Sequence, residues 1–196
     1  ISPCGLARAK LKNVIGSIAE TSARASFLGE AGAMLVLEPL SSAVARGASI
    51  LGRIAGFGFS CERSDDGRFA SRQAICSAMR AALGDAGLAP GGIDRVMLGS
   101  FDPNELDAVH AVFGKEGRPP VIVAAPRAVG ETYAAGPVLH AVLALSISAG
   151  AALPDNVRLP ARSPGPGGFG IGRILVNGLS CEGGCGSMII EGANAG

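Results

Sequence analysis

The sequence predicts an α/β protein whose mixed β-sheet is covered by helices on both faces. Three observations lead to this fold class. Short apolar runs alternate with stretches of helical periodicity along most of the chain. A β-rich run, Val121-Ile122-Val123, is followed by a polar turn and a long uncharged segment. Two later apolar runs, residues 173–177 and 187–190, have no helix between them and indicate a closing hairpin.

The first part of the chain predicts a helix, a strand and a second helix. Residues 1–28 alternate polar and apolar side chains at helical spacing, which predicts a helical lead-in and connector. Residues 33–37 (AMLVL) form a continuous apolar run of the kind found in buried strands. Residues 40–46 then predict a short helix that Gly47 ends.

The next strand and helix follow closely. Residues 50–61 (ILGRIAGFGFSC) predict a strand in which Gly56 and Gly58 loosen the chain or admit a neighbouring backbone. From Ser71 onwards apolar residues recur at helical spacing, and Gly87 ends that helix. A proline and two glycines then make the turn that leads to the following strand.

The third predicted strand, residues 94–100 (DRVMLGS), is followed by a clear helix start. Asp102 is the expected N-cap, Pro103 occupies the first helical position and Glu105 the third, which is the pattern of a capping box. This helix carries one apolar stripe, made of Leu106, Val109, His110 and Phe113.

The unit at residues 119–154 organises the rest of the predicted fold. Its turn carries Arg127, Gly130 and Glu131 at the end of a strand, where α/β proteins usually place their chemistry. A Pro/Gly-rich loop, residues 155–172, separates this unit from the closing hairpin.

The uncharged segment of that unit, residues 132–154, raises the alternative of a membrane span. Gly136-Pro137 breaks the run near its start, and Gly150 ends any helix after about thirteen residues, which is short for a span. We therefore expect no membrane span but a buried core helix packed closely on all sides. On it, His140 is expected to be a satisfied core or edge histidine.

Composition excludes several classes of partner. The net charge of the 196-residue chain is +1, and aromatic residues make up only 4%, so neither a basic surface nor stacking platforms for nucleic acid are expected. Hydrophobic residues make up 48% and charged residues 17%, more apolar surface than a typical small domain buries. The chain is therefore expected to rest against a missing segment or a second subunit. Its first residue, Ile1, indicates a processed or partial sequence.

The cysteines indicate neither a disulfide framework nor a metal site. Their number, five, is odd, and no secretory signal precedes them, so a reducing cytoplasm fits best. Cys181 and Cys185 have the spacing of a metal or redox pair, but the other cysteines are scattered and only two histidines exist. The glycines of residues 168–172 precede a strand rather than open a helix, which argues against a dinucleotide. No metal or cofactor is expected.

At this point the residues resemble the C-terminal half of a β-ketoacyl synthase, a condensing enzyme of the thiolase fold. Residues 29–38 (GEAGAMLVLE) are similar to the family's G-E-G-A-G-x-L-V-L-E strand. Residues 43–47 and 50–60 follow its A-x-A-R-G and I-x-G-F-G-x-S patterns, and residues 81–94 (AALGDAGLAPGGID) resemble the helix and turn before its first catalytic histidine. The resemblance implies that residues 29–196 are a C-terminal thiolase-like half-domain, whose N-terminal half the sequence does not contain.

The family's catalytic positions are altered. Leu98 stands where the resemblance places the histidine of H-G-T-x-T-P, and leucine can neither hold a malonyl carboxylate nor polarise an enolate. Glu131 stands at the second histidine, of K-x-x-x-G-H, where an anion would repel a carboxylate or an oxyanion. The motif N-S-F-G-F-G-G-x-N is matched from Asn177 onwards, with Cys181 at its gating phenylalanine. The register thus places Cys181 in a gate, although its glycine-rich surroundings also suggest a nucleophile.

No catalytic residue is therefore assigned, and the resemblance implies only a set of acyl-substrate contacts. These are Ser100, Arg127, Gly130, Glu131, Cys181, Gly183 and Gly184. Two of them have plain structural alternatives: Glu131 as a buried or interfacial carboxylate paired with Arg127, and Ser100 as the end of a strand.

Loss of both histidines on a retained scaffold resembles the chain length factors, catalytically silent ketosynthase-like subunits. These pair with an active ketosynthase in type II polyketide and aryl-polyene synthesis, and their A-P-K and A-G-x-P-L stretches are matched by residues 125–127 and 135–139. The resemblance implies a heterodimer with a ketosynthase, a shared acyl-chain tunnel and an acyl carrier protein as partner. Two alternatives stay open: an active condensing or decarboxylating enzyme that uses Glu131 or Ser100, and a degenerate thiolase-like protein that is structural or binding only.

Overall fold

The computed structural model describes residues 28–65, 69–100, 102–114, 119–151 and 172–193. Five α-helices lie in these residues: α1 (Leu40–Ala45), α2 (Arg72–Asp85), α3 (Pro103–Phe113), α4 (Pro126–Val129) and α5 (Gly136–Ser148). Five strands accompany them: β1 (Gly52–Cys61), β2 (Arg95–Met97), β3 (Val121–Val123), β4 (Arg173–Leu179) and β5 (Gly184–Gly192). The predicted helical lead-in and the predicted Pro/Gly-rich loop fall almost wholly outside the described residues.

The strands form one mixed sheet in the order β1-β5-β4-β2-β3. β2 runs parallel to both β3 and β4, whereas β5 runs antiparallel to both β1 and β4. The predicted closing hairpin of β4 and β5 is thus confirmed, and both of its strands are longer than the apolar runs that predicted them. The parallel strands β2, β3 and β4 bring their carboxyl ends to one edge of the sheet, which is where the candidate site lies.

The two faces of the sheet carry separate apolar cores. Helices α2 and α3 cover one face, with Ile75, Met79 and Val109 fully buried against the sheet residues Val96, Leu175 and Ile189. Helix α5 covers part of the other face, where Ala141, Ala144 and Ile147 pack on residues that include Met97, Val123, Ile174, Val176 and Ile190. The predicted α/β class, with helices on both faces of a mixed sheet, is confirmed.

Two helix starts follow the sequence signals. Ser71 caps α2, its side chain accepting a hydrogen bond from Ala74 N at 3.0 Å. Asp102 caps α3 by accepting from Asn104 N at 2.8 Å, with Pro103 in the first helical position. The apolar stripe predicted on α3 needs one correction: His110 is exposed, because the helix turns that side chain away from the sheet.

Strand β1 alternates glycines on one face with phenylalanines on the other. A Cβ atom at Gly56 or Gly58 would collide with the α2 carbonyl oxygens of Ala82 and Ala78, so the strand and the helix touch backbone to backbone there. The sequence prediction that these glycines admit a neighbouring backbone is confirmed. On the opposite face Phe57 and Phe59 are 54% and 64% exposed, and they lie over glycines of β5. This part of the α5 face therefore stays open.

The strand predicted at residues 33–37 is wrong. These residues are not in a strand, and Met34, Val36 and Leu37 are 87%, 80% and 70% exposed. An extended segment becomes a strand only where a neighbouring backbone accepts its N–H and C=O groups, and no described strand lies beside this one. Only Leu35 packs onto the α5 side of the core. The apolar run predicts burial, and the described residues do not provide it.

Helix α5 differs from its prediction in how it is buried. It has the expected thirteen residues and ends before Gly150, whose φ is +96°. Only one face is buried, however, and Val138 is exposed, because the sheet lies on one side of the helix alone. Among the helices in the described residues, none is long and apolar enough to cross a membrane.

Candidate functional site

The turn that follows β2 forms the first part of the candidate site. Leu98 N donates to Val123 O of β3 at 2.8 Å, and the Leu98 side chain is 5% exposed and packs in the α2–α3 core. Gly99 crosses β4 closely: a Cβ atom there would lie 2.6 Å from Asn177 O. An apolar side chain and a tight backbone crossing therefore fix the start of the turn.

Glu105 of α3 fixes the conformation of this turn, a role that its position in the sequence does not reveal. Its carboxylate accepts four hydrogen bonds: from Gly99 N at 2.8 Å, Ser100 N at 2.9 Å, Ser100 Oγ at 2.9 Å and Asn177 Nδ2 at 3.0 Å. The side chain is fully buried, and burial raises its pKa to about 7 against the opposing effect of these donors. The capping-box spacing predicted a bond to the helix's own start, and spacing cannot separate that from a bond to the preceding turn.

Ser100 is bound on both sides of its hydroxyl. It donates to Glu105 Oε2 and accepts from Asp102 N at 3.0 Å, and only 2% of the residue is exposed. Asn177 extends the network to the end of the sheet, because its Oδ1 accepts from Ser187 Oγ of β5 at 2.7 Å. These hydrogen bonds anchor the β2 turn to β4 and β5.

The loop after β3 carries the second group of predicted site residues. Helix α4 contains Arg127, whose side chain lies outside the described residues, and Gly130 ends it with φ +77°. A Cβ atom at Gly130 would lie 2.7 Å from Gly29 N, and Gly29 N itself donates to Glu131 O at 3.0 Å. The backbone of residues 28–29 therefore crosses directly over this loop.

Glu131 turns its side chain inward from that loop. Oε1 accepts from Tyr133 N at 3.0 Å, and Oε2 is buried without a hydrogen-bond partner among the described residues. Burial raises the pKa of this carboxyl, so a proton is held more readily than on an exposed glutamate. The proposed ion pair with Arg127 stays a prediction, because the arginine side chain is not described.

The turn between β4 and β5 carries the third group. Cys181 is half-buried in it, and Gly183 is buried with φ +92°, its carbonyl accepting from Glu62 N at 3.0 Å. Gly184 begins β5 opposite Cys61. The next residue, Cys185, is fully buried, and burial raises the pKa of its thiol to about 12, which leaves it unreactive.

Hydrogen bonds connect the first group of predicted site residues to the third group more closely than either is connected to the second. Glu105 and Asn177 connect the β2 turn to the strand that leads into the Cys181 turn. The hydrogen bonds that Glu131 accepts come from Tyr133 N within its own loop and from Gly29 N. The Glu131 loop instead approaches β4 through α5, where a Cβ atom at Gly178 would lie 2.7 Å from Pro137 Cγ.

His140, on the same helix, is buried as predicted but not satisfied. Only 2% of the residue is exposed, and neither ring nitrogen has a hydrogen-bond partner among the described residues. Burial lowers the pKa of the imidazole to about 4, so the ring is neutral at physiological pH. The backbone of Asn177 on β4 opposes this effect and is the group of the sheet that reaches the ring, although neither ring nitrogen meets a partner in full hydrogen-bond geometry among the described residues.

Comparisons with known proteins agree with this arrangement. The family described as β-ketoacyl synthase, C-terminal domain, matches residues 51–159. The chain is 38% identical over 125 residues to the actinorhodin polyketide β-ketoacyl synthase 2 of Streptomyces coelicolor, which covers 60% of this chain and 29% of that protein. It is 40% identical over 95 residues to nodulation protein E of Rhizobium meliloti, covering 44% of this chain and 23% of that protein.

Solved structures show the same fold. The ishigamide ketosynthase/chain length factor superposes with a TM-score of 0.81 at 22% identity, covering 99% of this chain and 52% of that one. A ketosynthase from module 6 of the bacillaene synthase of Bacillus subtilis gives 0.77 at 19% identity, with 98% and 41% covered. The fold is thus the thiolase-like fold of ketosynthases. The chain spans about half of these solved chains, and the matched part spans less than a third of the curated relatives.

Proposed function

The chain belongs to the β-ketoacyl synthase C-terminal domain family, and from that premise we propose that it acts as a ketosynthase-like chain length factor. In this role it pairs with an active ketosynthase and shapes the tunnel for an acyl chain carried by an acyl carrier protein in type II polyketide or polyene synthesis. A cytoplasmic location is part of the same proposal.

One observation carries the proposal: the two positions assigned to catalytic histidines hold side chains that cannot replace them. Leu98 is packed into an apolar core and offers no donor. Glu131 offers a buried carboxyl that would oppose a malonyl carboxylate whenever it is ionised. Decarboxylative condensation needs donors aimed at a developing negative charge; Leu98 supplies none, and Glu131 supplies one only while its carboxyl is protonated.

The backbone around the first of these positions is nevertheless held in a fixed conformation by hydrogen bonds. Glu105 fixes Gly99 and Ser100 with three of its four hydrogen bonds, and Asn177 ties them to β4. Such a buried, fully bonded carboxylate maintains the shape of the turn whether or not chemistry occurs there. A wall of fixed shape without a catalytic donor is what a chain-length-determining partner requires.

Exposed apolar side chains on the sheet face that α5 only partly covers support a second part of the proposal, that a further half-domain packs there. Residues 29–196 act as the C-terminal half of a thiolase-like domain, and an N-terminal half of the ketosynthase fold covers Phe57, Phe59 and the exposed run at residues 33–37. Each of these regions exposes large apolar side chains, and exposed apolar surface favours a packed contact over solvent.

A photo-crosslinking amino acid placed at Phe57 tests this contact. We expect it to capture ketosynthase-type sequence, either upstream in the same polypeptide or in a partner subunit. The matched control carries the same crosslinking amino acid at Asp107, an exposed residue of α3 on the other side of the sheet. It should capture no ketosynthase-type sequence. Equal capture at both positions would contradict a specific contact.

The function is tested by purifying the tagged protein from its own host and assaying it with acyl- and malonyl-carrier protein. We expect no release of carbon dioxide by the isolated protein and a stoichiometric ketosynthase, with its own cysteine and histidines, in the native complex. Condensation by the isolated protein would overturn the proposal.

A second candidate, an active enzyme with atypical residues, is favoured by the raised pKa and the unpartnered oxygen of Glu131. A carboxyl that keeps its proton can donate to an oxyanion, which a charged one cannot. Glu131→Gln separates the two candidates. It abolishes turnover if Glu131 is catalytic, and it changes product length or folding, but no intrinsic turnover, if the chain is a partner subunit.

A further inference from the structure

Strand β1 lies at one edge of the sheet. Its inner side pairs with β5, and no strand in the described parts of the chain lies along its outer side. An unpaired edge presents a row of free N–H and C=O groups, to which a strand of another molecule can add. Proteins therefore protect such edges, often with a charged side chain.

Alternation along β1 shows which of its backbone groups face the free edge. Phe57 N donates not to β5 but to the side-chain oxygen Oδ2 of Asp85, at 2.9 Å. Five residues on, Glu62 N points the other way and donates to the turn before β5. Because successive residues of a strand direct their N–H groups to opposite sides, Phe59 and Cys61 face the free edge together with Phe57. Of these three N–H groups, only that of Phe57 has a hydrogen-bond partner among the described residues.

Asp85 is the last residue of α2, a position that local rules do not favour for it. The carboxyl end of a helix carries a partial negative charge, so a carboxylate there is destabilising. Aspartate is also a poor helix former, and no basic residue in the last turn offsets its charge. What the carboxylate gains at this position is its hydrogen bond to Phe57 N. The contact with β1, and not the helix, therefore accounts for an aspartate here.

The close approach of α2 to β1 makes this hydrogen bond possible. A Cβ atom at Gly56 would lie 2.4 Å from Ala82 O and 2.8 Å from Ala86 N, so the last turn of α2 lies directly against the strand backbone. A layer of larger side chains would hold the helix farther from the strand. Because no such layer intervenes, the short side chain of Asp85 reaches the edge at Phe57.

We propose that Asp85 blocks the free edge of β1 against pairing with β1 of a second copy of this chain. A second copy fits this edge because two identical strands that pair antiparallel are related by a two-fold axis and complement each other. The exposed rings of Phe57 and Phe59 beside the edge would add cross-strand contacts to such a pair. An added strand would have to take Phe57 N from the carboxylate and bring its own carbonyl oxygens against that negative charge. The proposal does not depend on the proposed function.

The test measures the average mass of the purified full chain by light scattering over a series of concentrations. We expect Asp85→Ala to associate more than wild type at the same concentration, with its average mass rising towards twice the wild-type value. Asp107→Ala is the matched control, because it removes the same charge from an exposed position on α3, away from the β1 edge. It should keep the wild-type mass.

Two second substitutions in the Asp85→Ala chain separate edge pairing from contact between exposed faces. Phe59→Pro removes an edge N–H, which proline cannot offer to an added strand, and should restore the wild-type mass. Phe59→Ala removes the same ring but keeps the N–H, so the association should persist. The proposal is overturned if Asp85→Ala keeps the wild-type mass, if its association survives Phe59→Pro, or if Asp107→Ala associates equally.

Discussion

The carboxylate of Glu105 accepts a hydrogen bond from Asn177 Nδ2 at 3.0 Å, joining two residues that are far apart in the sequence. Glu105 belongs to α3, which follows β2, and Asn177 belongs to β4, which lies beside β2 in the sheet. Ser187 extends the contact to β5 by donating to Asn177 Oδ1. The turn in which the resemblance places the first histidine motif is therefore fixed by a polar network inside an otherwise apolar core.

Replacing Glu105 tests that network. We expect Glu105→Gln to lower the free energy of unfolding by about 2–4 kcal/mol near pH 5, because the amide nitrogen would take the place of one acceptor oxygen and leave one backbone N–H and one side-chain donor without an acceptor. Urea unfolding followed by circular dichroism measures the change. Asp107→Asn, on the exposed side of the same helix, should change it little.

The difference in stability between wild type and Glu105→Gln should also depend on pH. Burial raises the pKa of Glu105 from 4.5 to about 7, so between these values the folded chain holds a proton that the unfolded chain releases. The contribution of Glu105 to stability is therefore present at low pH and falls as pH rises through this window, by up to ~3 kcal/mol. The difference between wild type and Glu105→Gln should shrink from pH 5 to pH 8. A constant difference would show that the carboxyl is ionised throughout.

Restoring a histidine at Leu98 should not restore chemistry. Leu98→His places a polar ring in an apolar core, and we expect a loss of about 2–4 kcal/mol in the free energy of unfolding. Leu98→Met, which conserves volume, should cost less than about 1.5 kcal/mol. Decarboxylation of malonyl-carrier protein should stay at background in both variants, because Glu131 still occupies the second position. Turnover by Leu98→His alone would contradict the assignment of these positions.

Glu191 ties three strands together at the other end of the sheet. It accepts from Arg173 Nε of β4 at 2.6 Å and pairs with Arg53 of β1, and the Arg173 bond is the main cause of its lowered pKa. Its stabilising effect is therefore present above the unfolded pKa and is lost as pH falls. We expect Glu191→Gln to lower the unfolding temperature, and added salt to narrow the gap to wild type. The exposed pair of Arg46 and Glu38 is the control, where Glu38→Gln should have a smaller effect.

The backbone contact of β1 with α2 predicts that alanine is costly at some glycine positions and tolerated at others. Gly58→Ala should cost about 2–4 kcal/mol of unfolding free energy, because the added methyl group meets the Ala78 carbonyl, which the helix cannot move easily. Gly91→Ala introduces the same methyl group where no atom lies within 4 Å, and should change stability by no more than about 0.5 kcal/mol. Thermal unfolding of the two variants side by side gives the comparison.

The sequence by itself determined the parts of this protein that depend on local rules. Periodicity found α2 from Ser71 onwards, the predicted cap Asp102 gave the start of α3, and Gly150 gave the end of α5. Motif spacing found the family, which the match over residues 51–159 confirms. Each of these signals acts within a few residues, so it can be read without knowing which elements become neighbours.

Only the tertiary structure decided what depends on distant neighbours. Glu105 had the spacing of a helix cap, yet its carboxylate binds the preceding turn and Asn177, because β2 and β4 are adjacent in the sheet. His140 was expected to be a core histidine, but the group that reaches its ring, the backbone of Asn177, could be identified only from the packing of α5 on β4. Residues 33–37 had the composition of a buried strand but form none, because a strand requires a neighbouring backbone to pair with and composition cannot supply one.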